Sequence, residues 1–181
     1  MRITVVGRGN VGGGLAKRWE QAGHEVTALG RDGGDAADAE VVVVAVPSNA
    51  IADALGKVSG IEGKIGIDAT NVVGDRDERF ESMAHKVKSI VGGPTAKSFN
   101  LNFARLYDQL DQAERRPSNI WSGDEEARQT VEQLTRDAGY DPISAGGLDK
   151  AAVQEQGIGL IFAISQASGP FFYRMAPPGE L

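Results

Sequence analysis

Short apolar runs alternate with segments of helical periodicity along the chain. The apolar runs favour β-strands at residues 2–6, 24–29, 40–46, 64–69, 86–91, 118–122 and 141–145. Apolar positions three and four residues apart favour helices at residues 12–22, 49–58, 99–112, 124–138 and 148–167. This alternation predicts an α/β protein with a mostly parallel sheet and helices on both of its faces.

One apolar run contains no polar position. It is a run of four valines, Val41–Val44. A strand with one solvated face would alternate between apolar and polar residues, whereas a strand covered on both faces need not. We therefore predict that these valines form a central strand of the sheet.

The first predicted strand leads directly into a glycine motif, Gly7-Arg8-Gly9-Asn10-Val11-Gly12. A strand, a glycine turn and a helix start in this order form the pyrophosphate-binding half of a dinucleotide site. The three glycines permit the turn, the approach of the backbone to the phosphates and the close packing of helix on strand. The first amides of the helix and its dipole favour the phosphate charge. Gly23 then ends the helix, and a second strand follows at once, as a βαβ unit requires.

The connection over residues 31–40 is short for a dinucleotide fold. Ten residues can hold at most about two helical turns and no extra strand. The usual fold places a helix and a third strand here. We therefore predict a Rossmann-type, doubly wound sheet with a shortened second crossover, its third strand missing. The strand at 24–29 should then lie at a sheet edge, leaving the adenine side of the site open.

The end of the second strand bears on the choice between NAD and NADP. An NAD site carries an acidic residue there for the ribose hydroxyls, and an NADP site more often supplies arginine for the 2′-phosphate. Gly30 stands at the usual acidic position, Arg31 follows it, and Arg8 could add a second guanidinium. This pattern favours NADP(H). Asp32 leaves two alternatives open, an NAD-type ribose contact and a solvated turn.

The composition of the chain limits the kinds of molecule that it is expected to bind. The net charge of −6 and the pI of about 5.0 argue against nucleic acid and anionic membranes. The absence of cysteine excludes disulfides, thiolate metal sites and a cysteine nucleophile, and no cluster of ligands predicts a metal. The chain opens on a predicted strand and has no apolar run of about 18 residues, so we expect a cytoplasmic protein without a signal peptide or membrane span.

Several segments together resemble the NADP oxidoreductase family whose best-known member reduces the deazaflavin coenzyme F420. They are GRGNVGGGLAKRWEQAGHEV, DAADAEVVVVAVPSNAI, GKIGIDATN, KSFNLNF and GDEEARQTVEQLTRDAGYDPISAGGLDKA. The resemblance covers nearly the whole chain, and the combination with DATN and SFN is its most specific part. Two departures are the shortened segment after the second strand and the lead-in Gly93-Pro94-Thr95-Ala96 before SFN.

The resemblance implies roles for particular residues. It places Gly7 to Gly12 on the pyrophosphate and Arg31 on the 2′-phosphate. Further cofactor contacts are implied beside the nicotinamide and its ribose, at Val46, Pro47, Ser48, Ala69, Thr70 and Asn71. The pocket of the hydride acceptor, F420 or a flavin as co-substrate, is implied to be walled by Gly92, Gly93, Pro94, Thr95, Lys97, Ser98, Phe99 and Asn100.

Few residues are candidates for acid–base catalysis. Hydride transfer between stacked rings needs orientation and exclusion of water, whereas a hydroxy-acid dehydrogenase needs a proton donor or acceptor near the carbinol. Lys97 with Asn100 is the only pair that we would nominate, and its alternative is a surface lysine beside a helix start.

The C-terminal helical segment carries an apolar stripe that includes Ile158, Ile161 and Phe162, followed by Phe171 and Phe172. It is either a helix docked on the sheet or a homodimer interface that also closes the acceptor pocket. We divide the chain into a dinucleotide-binding part, residues 1–97, and a C-terminal α/β part, residues 98–181. The second part would complete the sheet and the pocket in one compact unit.

The sequence leaves three functions open. The first is an NADPH-dependent reductase of a deazaflavin or flavin-like acceptor that works by ring-to-ring hydride transfer. The second is a small-substrate dehydrogenase or imine reductase that uses Lys97. The third is a non-catalytic NADP(H)-binding module that senses redox state.

Overall fold

A computed structural model describes residues 1–72 and 77–179. In this part of the chain the strands are β1 (Arg2–Val6), β2 (Glu25–Leu29), β3 (Gly34–Asp35), β4 (Val41–Val44), β5 (Val58–Ser59), β6 (Ile65–Asp68), β7 (Thr95–Lys97), β8 (Ser118–Gly123) and β9 (Asp141–Ser144). The α-helices are α1 (Asn10–Gln21), α2 (Ile51–Leu55), α3 (Met83–Val91), α4 (Arg128–Asp137), α5 (Ala151–Gln156) and α6 (Ile158–Ser168). Short 3-10 helices lie at Ser48–Ala50, Ala104–Gln112, Glu125–Ala127 and Leu148–Lys150.

Seven of these strands form one sheet in the order β2-β1-β4-β6-β7-β8-β9. Neighbouring strands are parallel except for the antiparallel pair β7 and β8. The predicted Rossmann-type, mostly parallel sheet is thereby confirmed. The sheet continues across the predicted boundary at residues 97 and 98, because β7 pairs with β8.

The shortened second crossover is also confirmed. Among the described residues, β2 stands at the end of the seven-strand order and no further strand lies beyond it. The crossover itself contains the two-residue strand β3, which pairs with β5 in a separate two-stranded sheet. The prediction that these ten residues hold no extra strand is therefore wrong in one respect, because they are enough for a two-residue strand, although not for one that reaches the main sheet.

The four valines of β4 are fully buried and divide between two hydrophobic clusters. Val41 and Val43 pack into the cluster that holds Leu15 and Trp19 of α1. Val42 and Val44 pack into the cluster on the other face, with α2 and α3. Because successive side chains of a strand point to opposite faces, this division shows that the central strand is covered on both sides, as predicted.

The predicted strand at residues 86–91 is wrong, because these residues belong to α3. The Oγ of Ser82 accepts a hydrogen bond from the amide of His85 and caps the helix, and Gly92 ends it in the left-handed conformation at φ 72°. Met83, Val87 and Val91 lie four residues apart and are buried. The strand that enters the sheet is β7, which the apolar pattern missed because it is three residues long.

Other differences concern predicted helices. The helix predicted at residues 49–58 is a 3-10 turn at Ser48–Ala50 followed by the five-residue α2, and Val58 begins β5. Residues 104–112 form a 3-10 helix rather than an α-helix, and residues 99–103 before it are irregular. The predicted helix at 148–167 is divided into a 3-10 turn, α5 and α6, with Gly157 between the last two. Among the described helices none is long and apolar enough to cross a membrane.

The three tyrosines of the chain, Tyr107, Tyr140 and Tyr173, yield a prediction about alkaline stability. Burial raises the pKa of Tyr173 to about 12 and also raises the pKa values of Tyr107 and Tyr140. An unfolded tyrosine ionises near pH 10, at about its reference pKa. The fold therefore favours the neutral phenols, and their contribution to the free energy of unfolding is complete below about pH 10 and declines above it. In a spectrophotometric titration, tyrosinate absorbance should appear only as the protein unfolds.

The same titration in denaturant is the control, in which all three phenols should ionise near pH 10. Tyrosinate absorbance near that pH in protein with an unchanged circular dichroism spectrum would contradict the prediction.

Candidate dinucleotide-binding site

The glycine loop connects β1 to α1 at the carboxyl edge of the sheet. Gly7 has φ 104°, in the region that favours glycine, and its amide donates to the Leu29 carbonyl at the end of β2. A Cβ on Gly12 would collide with the Gly7 carbonyl oxygen and lie 3.0 Å from Ala45 and Val5 side-chain atoms. Gly7 therefore makes the turn and Gly12 the close helix–strand contact that the motif predicts.

Gly9 differs from these two glycines because nothing in the protein crowds it. It is the N-cap residue of α1, with φ −76° and ψ −162°, and a Cβ there would meet no atom within 4 Å. No side chain caps the helix at this residue, and the first turn of α1 has no acidic residue. The first amides of the helix are thus available to an anion. The loop fits a dinucleotide pyrophosphate, which needs uncapped amides and open space beside them.

Arg8 lies against the end of β2. Its Nε and one terminal nitrogen lie 3.0 Å from the position of a Cβ on Gly30. The guanidinium therefore occupies the surroundings of the residue that is acidic in NAD sites. Within the described ranges neither Arg8 nor Arg31 has a carboxylate within 4.0 Å, and both are exposed, as is Asp32. Two unpaired guanidinium groups at this end of the sheet suit a phosphate.

The residues that follow β4 and β6 meet at the same edge of the sheet as the glycine loop. Val46 and Pro47 follow β4, and Ser48 begins a 3-10 helix and is 9% exposed. The amide of Ala69 donates to the Val44 carbonyl at 2.9 Å, which holds the ends of the two strands together. The structure therefore brings these predicted cofactor contacts to one edge of the sheet, as a switch-point site requires.

The backbone of Thr70 is held from both sides by buried charges. Its amide donates to Asp68 Oδ1 at 2.9 Å, and its carbonyl accepts from Lys97 Nζ at 2.6 Å. The Thr70 hydroxyl is buried and has no hydrogen-bond partner among the described residues. Next to it, Asn71 and Asn100 exchange hydrogen bonds, since Asn71 Nδ2 donates to the Asn100 carbonyl and Asn100 Nδ2 donates to Asn71 Oδ1.

Lys97 is fully buried, and its ammonium group contacts two buried carboxylates and one backbone carbonyl. Nζ lies 2.8 Å from Asp68 Oδ2 and 3.0 Å from Glu155 Oε1, in addition to the Thr70 carbonyl. The first of these contacts and the one to the Thr70 carbonyl are hydrogen bonds, and the contact with Glu155 is an ion pair. The surface lysine that the sequence left open as an alternative is excluded, and the side chain ties β6 and β7 to α5.

Sequence reasoning missed the C-terminal half of this network. Glu155 also accepts from the amide of Met83 at 2.7 Å, and Gln154 donates to Asn100 Oδ1 at 2.8 Å and accepts from Ser122 Oγ. Both side chains are buried. In the sequence they stand in a polar QEQ stretch typical of a solvated helix face, and nothing there distinguishes them.

The residues predicted to wall the acceptor pocket do not all lie at the edge of the sheet that carries the glycine loop. Gly92 to Pro94 precede β7, and a Cβ on Gly93 would collide with the Lys64 carbonyl before β6. They therefore lie at the amino edge of these parallel strands, opposite the glycine loop. Thr95, the first residue of β7, pairs with Gly66 and has its amide bound to Asp124. The expectation that the acceptor pocket is walled by Gly92, Gly93, Pro94 and Thr95 therefore does not agree with the position of these residues in the sheet.

Phe99 is also placed differently from the expectation. Its side chain is fully buried and packs edge-to-face on Trp19, with ring centroids 5.6 Å apart. Its φ of 62° is unusual for a residue with a side chain, and such strain persists where the surroundings enforce it. The turn directs Phe99 into the core and allows Asn100 to face Asn71. Phe99 is therefore a core residue rather than a wall of the pocket.

A groove of about 810 Å³ extends from the glycine loop between α1 and the 3-10 helix at Ala104–Gln112. The end of the groove next to the glycine loop is lined by Gly9, Asn10 and Val11. Phe103 and Tyr107 also line it, and the Phe103 ring packs on Phe171 with centroids 5.6 Å apart. Phe103, with Phe171 packed on it, thus forms an aromatic rim of this groove, whose other lining includes Lys17, Arg18 and Asp108. In the described part of the chain no cluster of three or more His, Asp or Glu side chains could hold a metal.

Comparisons with known proteins show which solved structures this fold resembles. No family model matches the chain, and no curated protein does. A protein from Arthrobacter sp. FB24, provisionally described as an F420-dependent NADP-reductase, superposes with a TM-score of 0.81 at 23% identity, covering 98% of this chain and 100% of that one. A hypothetical protein from Sinorhizobium meliloti gives 0.64 at 25% identity, with coverages of 99% and 92%.

Longer proteins share the same fold. The imine reductase of Streptomyces aurantiacus superposes with a TM-score of 0.70 at 18% identity over 93% of this chain, which spans 64% of that reductase. At these identities the likenesses establish a Rossmann-like dinucleotide-binding fold.

Proposed function

We propose that this protein is an NADP(H)-dependent oxidoreductase. The uncapped amides beside Gly9 would bind the pyrophosphate, and Arg8 with Arg31 would bind the 2′-phosphate. Support for NADP over NAD comes chiefly from the Arg8 guanidinium beside Gly30, where an NAD site needs a carboxylate. The similarity to a protein described as an NADP-reductase points the same way.

We further propose that the acceptor is a flat ring of the deazaflavin or flavin class. The observation that carries this proposal is the engagement of Lys97, which donates hydrogen bonds to Asp68 and to the Thr70 carbonyl and forms an ion pair with Glu155, all of them buried. The second candidate function, reduction of an imine or a small carbonyl compound, would need this lysine to release a partner. Ring-to-ring transfer needs no proton donor from the protein.

Bound NADPH supplies the hydride, and this chain's residues would hold two rings in place and keep water away. Asp68 and Lys97 fix the backbone of Thr70 beside the expected nicotinamide position. The paired amides of Asn71 and Asn100 fix the next turn. The aromatic rim of Phe103 and Phe171 offers an apolar wall for a planar acceptor.

A panel of acceptors tests this proposal. Purified protein is mixed anaerobically with NADPH and, in turn, a deazaflavin, riboflavin, FMN, a cyclic imine and a small ketone. We expect NADPH oxidation with the deazaflavin or the flavins, and none with the imine or the ketone. With NADPH deuterated at the transferring carbon, the deuterium should be recovered in the reduced deazaflavin.

Two results would contradict the proposal. Reduction of the imine or the ketone alone would support the function that uses Lys97. Tight NADPH binding without oxidation by any acceptor would favour a non-catalytic binding module.

Removal of the Arg8 guanidinium tests the cofactor preference. Arg8→Ala should raise the Kd for NADPH by about 10- to 100-fold, since a charge-assisted hydrogen bond contributes about 1.5–3 kcal/mol. The Kd for NADH should change little, because NADH has no 2′-phosphate. Fluorescence titration with both cofactors measures the two constants. Arg128→Ala, on α4 after β8, is the control; equal losses for NADPH and NADH in Arg8→Ala would refute the role in selectivity.

A further inference from the structure

Three side-chain amides form a row that runs from the interior of the protein to the carboxyl edge of the sheet. Gln154 of α5 is 5% exposed, Asn100 after β7 is 3% exposed, and Asn71 after β6 is half-buried. Gln154 Nε2 donates to Asn100 Oδ1 at 2.8 Å, and Asn100 Nδ2 donates to Asn71 Oδ1 at 3.1 Å. We refer to these three residues as the amide relay. Its outer end lies next to Thr70, where the nicotinamide is expected.

The inner end of the amide relay has a fixed orientation. The two ends of a side-chain amide have nearly the same shape, so the partners decide which end faces which way. Besides Asn100, Gln154 Nε2 faces the Ile120 carbonyl at 3.0 Å, and Gln154 Oε1 accepts from Ser122 Oγ at 2.8 Å. Because a backbone carbonyl only accepts, turning this amide over would place two oxygens against each other. Gln154 therefore keeps its nitrogen towards Asn100.

This orientation is passed outwards along the amide relay. Asn100 Oδ1 faces the Gln154 donor, so Asn100 Nδ2 is left to point at Asn71. Asn71 meets that donor with its oxygen, and its own Nδ2 donates to the Asn100 backbone carbonyl at 2.7 Å. All the hydrogen bonds agree on one arrangement, which a buried network of this kind holds firmly. The direction of the Asn71 amide thus depends on a side chain of α5.

The outer end of the amide relay has a donor to spare. A carboxamide nitrogen carries two N–H groups, and the Asn100 carbonyl takes one of those on Asn71 Nδ2. In the described part of the chain the second has no partner. The neighbouring Thr70 hydroxyl is buried and has no partner among the described residues either. Because buried polar groups are nearly always hydrogen-bonded, two unmatched groups side by side indicate a polar ligand.

We propose that Gln154 is a positioning residue for the cofactor. Through Asn100 it holds the spare N–H of Asn71 towards the carbonyl oxygen of the nicotinamide carboxamide, without touching the cofactor itself. This inference rests on the proposed function, since it assumes that NADPH binds at this edge of the sheet. A donor that is already oriented does not have to be ordered when the cofactor binds, so less affinity is lost.

A cofactor analogue tests the contact in the wild-type protein. The thionicotinamide analogue of NADPH has sulfur in place of the carbonyl oxygen, and sulfur is the weaker hydrogen-bond acceptor. Isothermal titration without any acceptor measures the Kd of each cofactor. We expect NADPH to bind about 3- to 10-fold more tightly than the analogue, the value of one neutral hydrogen bond. Equal Kd values in the wild type would overturn the proposal.

Two variants show whether the amide relay produces this preference. Asn71→Ala removes the donor and should bring the ratio of the two Kd values close to one. Gln154→Met keeps a side chain of similar length that donates nothing to Asn100, so the ratio should also fall towards one. Gln156→Met, at the exposed end of α5, is the matched control and should keep the wild-type ratio. A wild-type ratio in Gln154→Met, or in Asn71→Ala, would refute the positioning role.

A change of stability alone should not alter the ratio. Thr135→Val removes a buried hydroxyl that accepts from Asn119 Nδ2 at 3.1 Å, outside the amide relay. It should lower the melting temperature and keep the wild-type preference for NADPH. If Thr135→Val lost the preference as Gln154→Met does, general loosening of the fold would explain both results and the proposal would fail.

The same titrations separate this inference from the proposed function. If wild-type protein binds neither cofactor, the proposed function fails. If it binds NADPH and reduces a deazaflavin but does not distinguish the two cofactors, only the positioning role fails. If it distinguishes them in the relay-dependent way and reduces no acceptor, the positioning role stands and the oxidoreductase does not.

Discussion

Gly9→Val is expected to abolish NADPH binding and leave the fold intact. The backbone at Gly9 is extended, with φ −76° and ψ −162°, and valine adopts this conformation readily. No protein atom lies within 4 Å of its Cβ position, so the side chain would occupy open space beside the first amides of α1. Losing two charge-assisted hydrogen bonds to the pyrophosphate would cost about 3 kcal/mol or more, at least ~100-fold in Kd.

Isothermal titration with NADPH and a thermal melt of each variant check this expectation. Gly159→Val is the matched control, because Gly159 of α6 is the other uncrowded glycine without a positive φ within the described ranges. It should bind NADPH normally. Gly12→Ala should lower the melting temperature, which Gly9→Val should not. The added Cβ at residue 12 would collide with the Gly7 carbonyl oxygen. Retained affinity in Gly9→Val would mean that the pyrophosphate does not bind at this loop.

Lys97→Met is expected to destabilise the fold by about 3–5 kcal/mol, the cost of leaving a buried charge without its partner. Asp68 and Glu155 are 0% and 5% exposed in their side chains and would share no cation after the change. The free energy of unfolding in urea is the measurement. Lys57→Met removes an exposed pair with Asp53 and should cost about 0.5 kcal/mol at most. A similar small loss in Lys97→Met would show that the buried pair contributes little.

This expectation changes how activity data on Lys97 are understood. A loss of turnover in Lys97→Ala would not by itself indicate a proton donor, because the same change removes the anchor of the Thr70 carbonyl. The turnover of Lys97→Ala and of the wild type has to be compared at equal fractions of folded protein. The acceptor panel with wild-type protein is therefore the better way to separate ring-to-ring transfer from imine or carbonyl reduction.

The parts of the fold that the sequence predicted are those with strong local patterns. The glycine motif and the valine run of β4 each specify a backbone arrangement through nearby residues. The position of β2 at the end of the main sheet followed from length alone, since ten residues cannot build a further strand that reaches this sheet. Residues 86–91 were misjudged because an alternation of lysine with apolar residues fits a strand, while the capping by Ser82 and burial at four-residue spacing made them a helix.

By itself, then, the sequence determined the Rossmann-type class of the sheet, the position of the glycine loop and the arginines near the end of β2. Tertiary structure alone decided which polar residues are buried together and which edge of the sheet each loop occupies. It placed Gly92 to Thr95 away from the glycine loop, paired Lys97 with Asp68 and Glu155, and left α6 uncovered. The physical reason is that periodicity records the faces of single elements, whereas contacts between residues 58 positions apart, such as Lys97 and Glu155, arise only when the sheet assembles.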